Sequence, residues 1–184
     1  MKPTSTSTTL LDEVLPQFDF RSRHARHVAA TPERVAEAVN GVRLRGAASL
    51  LMRIRGLHIP SGPIRDALAG SGFTVLAERP GAELVAGTTG QFWALHEQAH
   101  MEAPLDLHAF RAFDRLGWAQ GAISIRIERL EGGSTELITE TRVRCVDDRA
   151  RRRFGLYWVL IRVFSGWLRR DFLRSVARIA EGAG

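Results

Sequence analysis

Apolar and polar residues alternate most cleanly at Ile123, Ile125 and Ile127, which are separated by Ser124, Arg126 and Glu128. A period of two is that of a strand with one buried face. Gly132-Gly133 turns the chain back. Leu137, Thr139, Thr141, Val143 and Cys145 then oppose Glu136, Glu140, Arg142 and Arg144, with Ile138 breaking the pattern. This predicts a second strand whose one face meets core or cavity and whose other face, with Glu140 and Arg142, meets solvent. Upstream, Phe73–Glu78 and Glu83–Trp93 flank Arg79-Pro80-Gly81-Ala82, a tight hairpin connection. Gln17–Ala29 reads as a first strand, and the parity of Phe20 and Val28 turns His24 inward. Phe110–Asp114 is expected to be a short strand, and Leu95–Leu107 shows no clear period.

The period lengthens in three places. Thr31-Pro32-Glu33-Arg34 sets an N-cap hydroxyl before proline at the first helical position, and Val35, Ala38 and Val39 make the apolar stripe of a helix that ends near Gly41. Leu44, Ala47, Ala48, Leu51 and Ile54 predict a second short helix, broken by Pro60-Ser61-Gly62-Pro63. After Asp147 or Asp148 as N-cap, Phe154, Tyr157, Ile161, Phe164, Leu168, Phe172, Val176 and Ile179 recur every three or four residues to Glu181. That stripe must be buried. Between Gly155 and Leu168 the helix is apolar almost all round apart from Arg162. One sheet face cannot cover it, so the early helices, a bound ligand or a second subunit of a homodimer must contribute.

Composition narrows the class. The chain has 184 residues, of which 45% are hydrophobic and 25% charged, enough for one domain with a sizeable core. Residues 1–16, rich in Ser and Thr, read as a disordered leader without a signal-peptide core, and residues 17–184 as the domain. Cys145 is the only cysteine, which excludes an internal disulfide and a cysteine metal cluster and fits a reducing compartment, so the cytoplasm is expected. No stretch reaches the roughly 18–20 apolar residues of a membrane span. Of the 26 lysine and arginine residues only Lys2 is a lysine, and the net charge is +6.

Strand, two helices, an antiparallel sheet and one long last helix is an order that resembles the START-like, or SRPBCC, superfamily and its helix-grip fold. The local likeness lies in Val28-Ala29-Ala30-Thr31-Pro32-Glu33-Arg34-Val35 and in Glu140-Thr141-Arg142-Val143 leading to Arg152-Arg153-Phe154-Gly155-Leu156-Tyr157-Trp158. These segments are similar to uncharacterised bacterial members. The resemblance implies an α+β fold in which a curved antiparallel sheet wraps around the long C-terminal helix. It also implies a cavity between them for a small or medium hydrophobic molecule such as a lipid, polyketide or aromatic metabolite. Trp93, Phe113, Trp118, Phe154, Tyr157 and Trp158 are the candidate lining residues, with His24 as a polar handle. The superfamily holds carriers and receptors as well as cyclases, aromatases and hydroxylase subunits, so the fold warrants no single chemistry. The expectation is a binder that does no chemistry unaided and needs no cofactor.

Further segments point to other chemistry. His96-Glu97-Gln98-Ala99-His100 satisfies H-E-x-x-H, with Asp106 ten residues beyond the first histidine, so a zinc-dependent hydrolase is one alternative. A strand pattern before the segment and Pro104 after it leave little room for the required helix. His96, Glu97, His100 and His108 are instead expected to be polar loop residues at the cavity mouth. Cyclase-type proton transfer by Asp114, Glu140 and Arg142 is a second alternative, opposed by the outward parity of the last two. Cys145 reads as a small buried thiol rather than a nucleophile. The arginines at 149, 151, 152, 153, 162, 169, 170, 174 and 178 are interleaved with Asp171 and read as a solvated helix face, so nucleic acid is not the expected partner. Transient contact with an anionic membrane surface stays open.

Overall fold

The computed structural model describes residues 8–42, 64–94 and 101–182. The predicted helix at Leu44–Ile54 and the His96–His100 motif lie outside these residues. The described elements, in order, are α1 (Leu10–Val14), β1 (Phe20–Val28), α2 (Pro32–Gly41), α3 (Ile64–Ala69), β2 (Thr74–Arg79), β3 (Glu83–Gly90), β4 (Met101–Glu102), α4 (Leu107–Arg111), β5 (Ala119–Arg129), a 3-10 turn (Glu131–Gly133), β6 (Thr135–Cys145) and α5 (Asp148–Ala180). The strands form one antiparallel sheet in the order β1-β6-β5-β3-β2, with β4 paired to β3. The sheet is curved around α5, which is the helix-grip arrangement.

Local chemistry accounts for the boundaries. The β2–β3 hairpin closes through Ala82 N–H donating to the Arg79 carbonyl at 3.0 Å, with Gly81 at φ +72° where an L side chain would be strained. Asp147 starts α5 by accepting from the Ala150 amide at 2.7 Å. Pro32 opens α2 behind Thr31, although the Thr31 hydroxyl makes no capping hydrogen bond and proline's fixed φ is the starting device. The expected strand at Phe110–Asp114 is instead the end of α4 and its exit. Asp106 caps that helix by accepting from Ala109 N–H at 2.7 Å, so its carboxylate is committed to the backbone.

The concave face packs α5 at its two ends. Phe154 is buried with Ala119 and Val143, backed by Phe20, Phe92 and Trp158. At the far end Phe172, Leu173, Val176, Ala177 and Ala180 meet α2 and the sheet residues Val28 and Leu137. Gly166, between them, lets β1 approach: a Cβ there would stand 3.2 Å from His24 Nε2. The predicted stripe holds except at Ile179, which is 47% exposed while neighbouring Ala180 is buried.

The convex face departs from expectation. Residues 10–15, part of the expected disordered leader, form a Thr9-capped helix and its exit, and Leu10, Leu11, Val14 and Leu15 pack on Val85, Phe110 and Ala122. Glu140 and Arg142 do keep their outward parity, but they are buried beneath this segment rather than solvated. Arg142 donates to Glu140 Oε1 at 2.8 Å, to Asp12 Oδ1 at 2.7 Å and to the Leu15 carbonyl at 3.2 Å. Arg21 grips the same Glu140 with two hydrogen bonds of 2.8 Å. Ile138, which breaks the alternation, is 1% exposed on that covered face.

Candidate functional site

Between the two anchored ends of α5 the sheet and helix do not close on one another. Two adjoining cavities of about 220 and 250 Å³ lie there, together in the range of a small-molecule site, roughly 300–1,000 Å³. Both are bounded by Phe73, Ile123, Thr141, Ser165, Leu168 and Arg169. Toward the start of α5 the first adds Phe92, Phe154, Tyr157, Trp158 and Thr88. Toward its end the second adds Ile125, Thr139 and Phe172, with Leu68 from α3. Period-two alternation produces the floor, because Ile123 and Ile125 of β5 and Thr139, Thr141 and Val143 of β6 share the concave face.

The candidate residues separate into four groups. Phe154, Tyr157 and Trp158 line the first cavity. Trp93 stands behind them, edge-on to Phe154 at 6.3 Å between ring centres. Phe113 and Trp118 pair with each other at 5.9 Å, Trp118 under the Arg115 guanidinium, and neither is among the residues lining the two cavities. His24 faces inward against Gly166, with Nδ1 buried and unpartnered. Burial lowers its pKa, and the charges of Arg169 and Arg170 lower it further, so the neutral ring is favoured.

Arg169 is the residue whose placement sequence reasoning missed. Its charge predicts the solvated face, yet it lines both cavities, its Nη1 is sealed from water and makes no hydrogen bond, and burial pushes its pKa down to about 10. The signal was present, since position 169 falls four residues after Ser165 and three before Phe172, inside the buried arc. Among the other lining residues the hydroxyls of Thr88, Thr139 and Thr141 are also buried without hydrogen-bond partners. The site thus joins apolar walls to an inward cation and three idle hydroxyls.

Its capacity for chemistry is limited to what these groups offer. Burial, with the Asp19 charge, pushes the Cys145 thiol up to about 12, away from nucleophilic use. The Glu140 carboxylate is turned to Arg21 and Arg142 on the other face. Among the described residues no group of three or more His, Cys, Asp or Glu side chains could hold a metal ion. None of the described helices is long and apolar enough to cross a membrane. The outer face of α5 nevertheless exposes Leu156, Val159, Leu160 and Val163 by 69–77% each, so the described residues cover the expected apolar girdle on its inner side.

No family model and no curated protein matches the chain. Solved structures that align along most of it include protein CV1439 from Chromobacterium violaceum, at 14% identity over 89% of this chain and 99% of that one, with a TM-score of 0.40. Hypothetical protein jhp0584 from Helicobacter pylori aligns at 10% identity over 98% and 99%, with a TM-score of 0.44. Ara h 8.0201 aligns at 11% identity over 89% and 96%, with a TM-score of 0.25. Scores of this size bear on neither family nor function. The α+β helix-grip fold rests on the strand order, the covered concave face and the single long helix.

Proposed function

We propose that the protein binds a small or medium apolar molecule between the sheet and α5, in the manner of the START-like proteins its element order resembles, and does so without catalysis of its own. The observation that carries this reading is the pair of adjoining cavities under the middle of a helix that is firmly packed at both ends. Aromatic walls from Phe92, Phe154, Tyr157 and Trp158 suit a ring or chain, because flat faces bury large apolar area with few rotamers to fix. Among the described residues the neighbouring groups do not assemble a nucleophile and base, which favours carriage or sensing over hydrolysis or cyclisation.

Native mass spectrometry of the full-length protein, with metal analysis of the same preparation, tests it. A retained organic mass is expected, and saturating that compound at 100 times its dissociation constant should add about 2.7 kcal/mol of stability. Ser165→Trp, which fills the space common to both cavities, should keep the circular dichroism spectrum and abolish retention. Retention unchanged in that variant would place the ligand elsewhere. Stoichiometric zinc lost on replacing His96 or His100 would replace this reading with metal-dependent hydrolysis.

A further inference from the structure

The cavity holds a charge it does not neutralise. Arg169 Nη1 is buried with no hydrogen-bond partner, and among the described residues no carboxylate pairs with its guanidinium. The other charged groups nearby do not supply one. Arg170 and His24 are cationic or neutral, and Arg170 Nε already donates to the Gly166 carbonyl at 3.1 Å. Glu140 contributes to the cavity wall, but its carboxylate is held from the opposite face by Arg21 and Arg142. Arg169 is half-buried, but a guanidinium nitrogen sealed from water without a partner is unfavourable, as are buried hydroxyls left without partners. Thr139 and Thr141 lie on the floor of the second cavity, which Arg169 also lines, and Thr88 lies at the wall of the first, each with an idle hydroxyl.

We infer that the ligand is an amphiphile with an oxyanion head, carboxylate or phosphate, bound head-inward on Arg169 and the Thr139 and Thr141 hydroxyls with its apolar body against the aromatic wall. This rests on the cavity-binding reading above and specifies the ligand class. The geometry suits the chemistry, because a guanidinium presents a planar fork of donors that two oxygens of one head group can accept together. Hydroxyls add rotatable donors that aim at the remaining lone pairs. A neutral hydrocarbon would leave all of these groups unsatisfied. Two cavities of about 220 and 250 Å³ suit a single chain or ring system.

The test compares dodecanoate, dodecyl phosphate and dodecanol at pH 8 by titration calorimetry of the whole protein, as wild type, Arg169→Met and Thr141→Val. The wild type should prefer at least one anion over the alcohol by about tenfold or more, as charge-assisted hydrogen bonds imply, and the better anion identifies the head group. Arg169→Met should erase that preference and raise the melting temperature of the ligand-free protein, since an unpaired buried charge is removed. Thr141→Val, which changes little volume, should reduce the preference without erasing it. Equal affinity for alcohol and anions in the wild type would overturn the anion site while leaving the apolar cavity in place. Binding of none of the three, with no retained mass from the native preparation, would overturn both. An anion preference that survives Arg169→Met would assign it to another cation.

Discussion

Gly87 sits on the convex side of β3, where a Cβ would stand 2.9 Å from Phe110 Cε2 and overlap Leu76 Cδ1. Packed cores resist one extra methyl when neighbours cannot move away. Gly87→Ala should therefore destabilise the protein by about 1–3 kcal/mol, measured by urea unfolding. An unchanged unfolding midpoint would show that Leu76 swings clear. Cys145 makes a second case at this scale. With its thiol pushed up to about 12 by burial and by Asp19, alkylation by iodoacetamide at pH 8 should run more than about a hundredfold slower in the native protein than in urea. Equal rates would mean that the thiol is far more open than its surroundings imply. Arg169 teaches the complementary lesson, because its charge argues for solvent while its angular position on the helix argues for the interior. Position prevails where the opposite wall offers hydroxyls and space.

Among the elements, α1 depends on the others more than its length suggests. Five residues cannot hold a helix alone, since nucleation costs more than so few hydrogen bonds return. Its Thr9–Asp12 capping box, the Leu10 amide donating to buried Glu83 at 2.9 Å, and Arg142 on Asp12 supply the missing stabilisation. Arg142→Ala should cost about 3 kcal/mol, the lower end for breaking a buried ion pair, because Arg21 still holds Glu140. Hydrogen exchange should then show the amides of residues 10–15 losing protection before those of β6. Simultaneous loss in both elements would mean that Arg142 secures the whole sheet rather than the N-terminal helix. The long α5 behaves differently. Its ends are packed and its middle spans a space, so that ligand contact is confined to about five turns between Phe154 and Phe172.

For the molecule as a whole, stability should fall toward acid in two steps. Burial and the charges of Arg169 and Arg170 hold the His24 pKa below its ordinary 6.5, so the unfolded chain takes up this proton first. The stability tied to neutral His24 is complete above about pH 6.5 and declines as pH falls through that value. His24→Asn should remove this upper step from a plot of melting temperature against pH between 8 and 5. At lower pH the Asp12 carboxyl, which burial alone would raise, is brought down to about 2 by hydrogen bonds from Arg142 and Thr9 and by the Arg142 charge. The stability that this group contributes is present above its ordinary value near 3.8 and is lost as pH falls toward 2. Asp12→Asn should flatten that lower step, and a curve unchanged by the substitution would remove Asp12 from the account. Much of this architecture was legible in the order of residues. Period-two runs located β2, β3, β5 and β6, Pro32 and Asp147 marked the starts of α2 and α5, and the stripe from Phe154 to Val176 set the inner face of the last helix. These features are local, because each follows from residues a few positions apart. Tertiary structure alone decided that the outward face of β6 would be roofed by residues 10–15, that Phe113 and Trp118 would pair away from the cavity walls, and that Arg169 would turn into the cavity. Each of those outcomes depends on which distant segment covers a face, and periodicity shows that a face exists without showing what lies across from it.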